Sequence, residues 1–292
     1  MNTAAKPISA VYKKKVTPKK VVGKTLWVLV LAAFLVFSLF PFVWMFITSI
    51  KDSKEIFTFP VQYWPSEVYW GNYIEVITEG NFFTYFINSA VMSISVAVLV
   101  AIIVAMASYV LSRMHFKFKP AVFAFFMMTQ MLPAASGVAP VYQLMSRLGM
   151  IDNMLTVIII LTASNISFNV ILLLGFYSSV PKEVEEAAYV DGASETTTFI
   201  KIVLPLVIPG VMTVMIMTFL AAWNDVVTSV LYINSRDKMT LPVAIYSMIG
   251  KYNIAWGSLS ASTLMAMLPA VVLFAFLKNF FVENLAAGAV KG

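Results

Sequence analysis

The sequence predicts an all-α membrane protein whose chain crosses the bilayer six times. Three observations predict it. Of 292 residues, 60% are hydrophobic and only 12% charged, about half the charged share of an ordinary soluble domain. The apolar residues gather into six stretches, 25–47, 86–112, 121–145, 154–180, 206–224 and 254–277, each close to the roughly 20 residues a spanning helix needs. None of the six contains Asp, Glu, Lys or Arg. The runs are continuous rather than alternating, so they read as helices and not as barrel strands.

The first stretch follows a tail, 1–24, that carries Lys6, Lys13, Lys14, Lys15, Lys19, Lys20 and Lys24 and no acid. The stretch is too long for a cleaved signal and lacks a small-residue cleavage site, so it is expected to be retained. The tail is expected to be flexible and to lie along anionic lipid. In the second stretch Ser89, Ser93, Ala97, Ala101 and Ala105 recur every four residues. Such a stripe lets another helix approach closely, either within the chain's own bundle or across an interface with a second membrane subunit. The third stretch holds Pro133, Gly137 and Pro140, which should bend it or break it in two. The fourth carries Asn165 and Asn169 one turn apart. The fifth ends on Trp223 and Asn224, and the sixth leads into a short tail, 282–292.

Lys and Arg placement sets the orientation. The connection 113–119 adds Arg113, Lys117 and Lys119, whereas 51–81 has two lysines against five acids. Both termini and the connections 113–119 and 178–204 are therefore expected in the cytoplasm, with 51–81 and 225–253 outside. The expected organisation is a basic tail at 1–24, a six-helix membrane domain at 25–281 and a cytoplasmic tail at 282–292.

Composition also excludes classes. Cysteine is absent, which removes disulfides and thiolate metal sites. His115 is the single histidine and cannot form a zinc site alone; in a basic loop it suits solvent or lipid headgroups. The net charge of +6 resides largely in the N-terminal tail, which argues against nucleic acid as a partner. Gly23-Lys24-Thr25 looks like the end of a phosphate-binding loop, but Pro18 stands where that motif needs its first glycine. No ATP site, paired catalytic carboxylates, nucleophile–base arrangement or metal-ligand spacing is found, so no enzyme activity and no metal are expected of this chain.

The informative segment is the long connection 178–210, SSVPKEVEEAAYVDGASETTTFIKIVLPLVIPG. Pro181 fits a first helical turn, and Glu183, Glu185 and Glu186 follow near its positive end. Ala187, Ala188 and Val190 continue a short helix, which Gly192 stops. Ser194 can cap a second short helix, set at about a right angle to the first. Pro205 and Pro209 then turn the chain back into the membrane. Such a projecting helix suits a groove in another protein. Lying on lipid would favour Lys and Arg on its polar face, but 178–204 holds five acids against two lysines.

Glu186-Ala187-Ala188, then Gly192, Ile202 and Leu204-Pro205, matches every fixed position of the EAA motif of ABC import permeases. Asp191-Gly192-Ala193 and the C-terminal Leu285–Gly292 run resemble the carbohydrate, MalG-like branch of that family. The resemblance extends over nearly the whole chain. It implies a type I importer permease fold in the inner membrane of a bacterium. It implies a second, homologous permease subunit, two ATPase subunits that bind the ATP and Mg, an external solute-binding protein and an oligosaccharide substrate. A looser overall similarity points to an importer of alginate oligosaccharides. By resemblance, Glu185, Glu186, Ala187, Ala188, Asp191, Gly192, Ala193, Ile202, Leu204 and Pro205 form the ATPase-coupling site. Ala287, Gly288, Val290 and Lys291 of the tail would reach the ATPases, or else form a disordered end.

Asn88, Gln130, Asn165, Asn169, Trp223 and Asn224 are the candidates for a translocation path, since amides and rings suit sugar hydroxyls and faces. Bonding between helices is the other use of such residues. The rivals to an importer are an ion-coupled secondary transporter, which needs ionisable groups in its spans, and a channel subunit, which has no use for a long acidic coupling loop.

Overall fold

The computed structural model describes the backbone of residues 18–250 and 254–289, and the side chains of 23–133, 136–250 and 254–275. Residues 1–17, the greater part of the basic tail, lie outside the described residues. So do Val290 and Lys291 of the other tail and the side chains of Ala287 and Gly288.

The described chain is helical, and no strand occurs in it. Helix α1 (Pro18–Ser49) is followed by two short helices, α2 (Ser53–Ile56) and α3 (Gly71–Thr78), and then by the long α4 (Phe82–Arg113). Next come α5 (Lys119–Met131), a 3-10 turn (Ala134–Gly137) and α6 (Val138–Arg147). After α7 (Met154–Ser179) stand α8 (Glu183–Val190), α9 (Glu195–Thr198), a π turn (Phe199–Val203) and α10 (Leu204–Trp223). The chain ends with α11 (Val227–Tyr232), a 3-10 turn (Arg236–Lys238), α12 (Leu241–Ser247) and α13 (Trp256–Ala289).

Five helical segments among the described residues are long and apolar enough to cross a membrane: Gly23–Ser49, Phe82–Arg113, Met154–Ser179, Glu195–Trp223 and Trp256–Ala275. The sequence predicts six spans, and the difference lies in the third. There α5 and α6 have 13 and 10 residues, each too short to span alone. The cause is local. Leu132 precedes Pro133 and is extended, with ψ at 130°, because the proline ring crowds the helical conformation of the residue before it. Gly137 caps α6, and Pro140 falls within its first turn, where a missing N–H costs nothing. Gly23, Lys24 and Thr25 lie inside α1, not in a loop ahead of a helix.

Helices α4, α7 and α10 form the centre and pack closely on one another. Their core includes Met92, Val96, Val100, Val104, Val157, Val170, Leu173, Val207 and Val214, all fully or nearly fully buried. The small-residue stripe of α4 is buried within the chain, from Ser89 at 0% exposure to Ala105 at 6%. Of its two uses, bundle packing is the one found. Gly210 shows how close α7 and α10 lie, since a Cβ there would come within 2.8 Å of Leu173 and Phe176 side-chain atoms. Bonds between helices tie the centre. The Tyr177 hydroxyl donates to Ala105 O at 2.9 Å, Ser108 Oγ to Val170 O at 3.2 Å and Thr129 Oγ1 to Ser167 Oγ at 2.8 Å, each worth roughly 0.6 kcal/mol in a membrane setting. Helices α1 and α13 pack together at the side. The apolar side chains of α1 from Leu26 to Phe46 are largely uncovered, with Phe37 81% exposed.

The connections sort to two ends of the bundle. At one end Asn72 Nδ2 donates to the carbonyls of Ser49 and Lys51, both at 2.9 Å. Asn88 Nδ2 holds the carbonyls of Asp237 and Met239 at 2.8 and 2.9 Å. There too the Asp152 carboxylate accepts from Asn234 N, Ser235 N and Lys238 Nζ. At the other end lie the end of α4, the end of α7 and the segment from α8 to the start of α10.

Candidate coupling site

The loop after α7 folds for local reasons. Lys182 O accepts the N–H groups of Glu185 and Glu186 at 2.9 and 3.0 Å, which opens α8. Glu183, Glu185 and Glu186 fall in its first turn, where negative charge complements the exposed N–H groups. Pro181 sits just ahead of the helix rather than in its first turn. Gly192 ends it with φ at +85°, and Ala193 N–H reaches Ala188 O at 2.9 Å, closing the carbonyls of the last turn. Nothing lies within 4 Å of where a Gly192 Cβ would stand, so backbone conformation rather than space calls for glycine there. Ser194 caps α9 as predicted, its hydroxyl accepting from Thr197 N.

The prolines behave differently from the expectation that they turn the chain. Helicity runs on from Glu195 to Trp223, and the adjustment is made by the π turn, where Leu204 N–H bonds to Phe199 O. A wider turn accommodates a proline that cannot donate and whose ring crowds the preceding turn. Ile202 and Leu204 are half-buried on this run, with Pro205 exposed in the first turn of α10.

Helix α8 has two faces. Glu185 and Ala188 are 5% and 6% exposed and face the bundle. Glu186, Ala187, Val190, Asp191 and Gly192 are exposed, Val190 at 87%. Ala187 and Ala188, adjacent in the coupling motif, therefore lie on different sides. Glu185 meets Arg113 from the last turn of α4, with Nε 2.5 Å from Oε1, both side chains at least nine-tenths covered. The contact lies off the N–H direction, so it is ionic rather than an aligned hydrogen bond. The same guanidinium donates through Nη2 to Val180 O at 2.7 Å, at the end of α7. One turn earlier on α4, the Tyr109 hydroxyl donates to Glu185 Oε2 at 3.4 Å. The Tyr109 ring lies 4.7 Å from Phe199 and 5.9 Å from Tyr177, centroid to centroid. Sequence reasoning misses Arg113 and Tyr109. The available signal is their four-residue spacing at the end of an apolar stretch, one of them the first cation after it, on the same side as a loop with five acids.

The six polar residues singled out for a translocation path are not brought together. Asn88 is occupied with the 236–239 backbone at one end of the bundle. Asn165 Nδ2 donates to Leu161 O within its own helix, and Asn169 Nδ2 to Asn165 O and to Thr218 Oγ1 across to α10. The Asn169 side-chain oxygen is buried without a partner among the described residues. Trp223 is buried, donates to Ala266 O and stacks on Phe219. It lines an apolar crevice between α4, α10 and α13 that none of the amides enters. Gln130 and Asn224 are exposed.

Residues 83–285 match the family described as binding-protein-dependent transport system inner membrane component. The chain is 33% identical over 258 residues to the melibiose/raffinose/stachyose import permease protein MelC of Bacillus subtilis (strain 168), covering 86% of this chain and 91% of that one. It is 29% identical over 257 residues to the trehalose/maltose transport system permease protein MalG of Thermococcus litoralis, covering 87% and 92%. In fold it is similar to a chain of a bacterial ABC transporter involved in the import of the acidic polysaccharide alginate, with a TM-score of 0.81 at 20% identity over 91% of this chain and 99% of that one. With helices alone and five long apolar ones among the described residues, a capped and buttressed loop helix and a family match over more than two thirds of its length, the chain belongs to the binding-protein-dependent transport system inner membrane components.

Proposed function

We propose that this chain is one of two membrane subunits of an ATP-driven importer of oligosaccharides, working by alternating access. A related permease subunit pairs with it, two ATPase subunits bind ATP and Mg and drive it, and an external binding protein delivers the sugar. Sugar as the substrate class is supported by the relatives, whose names specify melibiose, raffinose, stachyose, trehalose and maltose. Alginate oligosaccharide is the specific sugar we would test first, on the strength of the fold likeness.

The observation that carries the reading is the outward face of α8. Glu186, Ala187 and Val190 stand exposed on a helix whose other side is fastened to the ends of α4 and α7 and, through Tyr109, to the start of α10. A groove on an ATPase that grips this face has a rigid handle on the three central helices. We read α5 and α6 together as the third crossing, a reading supported by α5 starting beside the end of α4 while Asp152 N–H, just beyond α6, donates to Tyr232 O at the opposite end. That brings the crossings to six, with both termini and α8 in the cytoplasm.

The six polar residues do not form a sugar site within this chain alone. Asn169, whose buried side-chain oxygen on a central helix has no partner among the described residues, would contribute to a path completed by the partner permease.

The test is purification of the chain with its companion subunits from a membrane, followed by ATP hydrolysis in lipid discs. An ATPase is expected to co-purify, and binding protein loaded with alginate oligosaccharide or a neutral oligosaccharide to raise hydrolysis. Stimulation by peptides or ions with none by sugars overturns the substrate class. A chain that purifies without any ATPase overturns the importer.

A further inference from the structure

We infer that Arg113, Glu185 and Tyr109 form a buried clasp that makes α8 move as one body with α4, so that force applied to α8 enters the membrane through α4. This deepens the coupling role proposed above and rests on it.

The geometry points to a clasp because each group serves several elements at once. Arg113 is the last residue of α4 and touches two others: its Nη2 donates to Val180 O at the end of α7, and its Nε meets Glu185 Oε1 of α8. Glu185 is held from both oxygens, by Arg113 on one and by the Tyr109 hydroxyl on the other. Tyr109 also presses on Phe199 of the π turn and on Tyr177, whose hydroxyl returns to Ala105 O of α4. Removing any one contact leaves the others in place, and removing the charge pair leaves α8 joined by its chain connections, by Ala188 and by the contact of Tyr189 with the Tyr109 hydroxyl.

A link that transmits force must resist being pulled apart without water to replace it. Here both charged side chains are covered, so separation would leave two charges without solvent, and that is costly. An exposed pair would be exchanged for water at little cost and would slip. Glu186, one residue on, is exposed and free to meet the ATPase. The two adjacent glutamates thus divide the work, Glu185 inward to the bundle and Glu186 outward. These are positioning residues, since none of them touches substrate or nucleotide.

The experiment uses the complete complex, co-purified with its ATPase, in lipid discs. This chain has no cysteine, so spin labels can be placed at cysteines introduced for Val184 on α8, beside rather than on the gripped face, and Ile87 near the far end of α4, both exposed. In the native background the Val184–Ile87 distance is expected to stay the same when the complex is trapped with ATP and vanadate. In Glu185→Gln a new distance is expected to appear on trapping, with ATP hydrolysis retained and uptake per ATP about tenfold lower, within the usual range of coupling between sites. Tyr109→Phe, which keeps the ring and removes one donor, is expected to show a smaller change in the same direction. The exchanged pair Arg113→Glu/Glu185→Arg is expected to restore the native distance and most of the ratio, which a purely local packing role would not do. A trapped distance and a ratio in Glu185→Gln equal to native overturn the clasp while leaving the importer standing. A native chain that carries no ATPase overturns the importer and the clasp together.

Discussion

At Gly192 a single backbone angle decides how α8 meets α9. With φ at +85° and open space around it, any side chain meets conformational strain rather than collision, roughly 1 kcal/mol or more. Asp visits this region more readily than a β-branched residue does. Gly192→Asp is therefore expected to insert normally and to hydrolyse ATP with less uptake per ATP, and Gly192→Val to lose more. Equal uptake per ATP in all three proteins would remove Gly192 from the coupling site. Asp152 is a second residue with φ above zero, at 61°. The Lys238 ammonium, the Ser235 hydroxyl and N–H and the Asn234 N–H hold its carboxyl well below the ordinary value of 3.8, and the carboxylate in turn raises Lys238 above 10.5. A depressed acid contributes stability above its unfolded value that is lost as pH falls through the folded one; a raised lysine contributes below its unfolded value. The Asp152–Lys238 pair is thus whole from about pH 4 to about pH 10. The melting-temperature gap between native and Asp152→Asn should be constant from pH 8 to 5 and should shrink only in stronger acid.

At the scale of elements, the four-residue stripe on α4 was legible in the sequence as a packing face, but not which neighbour it serves. Small side chains fit any close helix, so the answer depends on where α7 and α10 lie. Ala97 is 3% exposed inside the bundle, whereas Phe37 on α1 is open. Ala97→Leu should cost about 1–3 kcal/mol by overpacking, and Phe37→Leu should stay within about 0.5 kcal/mol, read from unfolding of the purified complex in detergent. The reverse order would mean that α1, not the stripe, meets the tighter surroundings. The break in the third stretch was legible because Pro133 and Pro140 act on their own neighbours. The π turn was not, since its widening answers a conflict between Pro205 and a helix that continues through it. The inward role of Glu185 was hidden for a related reason. Its partners Arg113 and Tyr109 lie more than 70 residues away, and only the fold brings them to α8.

At the scale of the whole molecule, charge and hydrogen bonding divide the connections in the same way. The basic connection at 113–119 shares an end with α8, while the acidic one at 51–81 shares the opposite end with the Asp152–Lys238 clasp. Positive charge near short loops favours the cytoplasmic side, so this two-ended sorting supports the orientation proposed above and the demand it makes, that α8 face the cytoplasm. A chain inserted the other way would carry Arg113, Lys117 and Lys119 outside and present the exposed face of α8 where no ATP is available. The absence of native cysteine makes the demand measurable. Phe59 is 97% exposed on the 51–81 connection and Val190 87% exposed on α8. In intact cells with a permeabilised outer layer, a maleimide that cannot cross the inner membrane should label Phe59→Cys and leave Val190→Cys unlabelled. Inverted vesicles of cells lacking the ATPase subunits should give the opposite pattern. Labelling of Val190→Cys from the outside would place the lever on the wrong side of the membrane for any ATPase to grip.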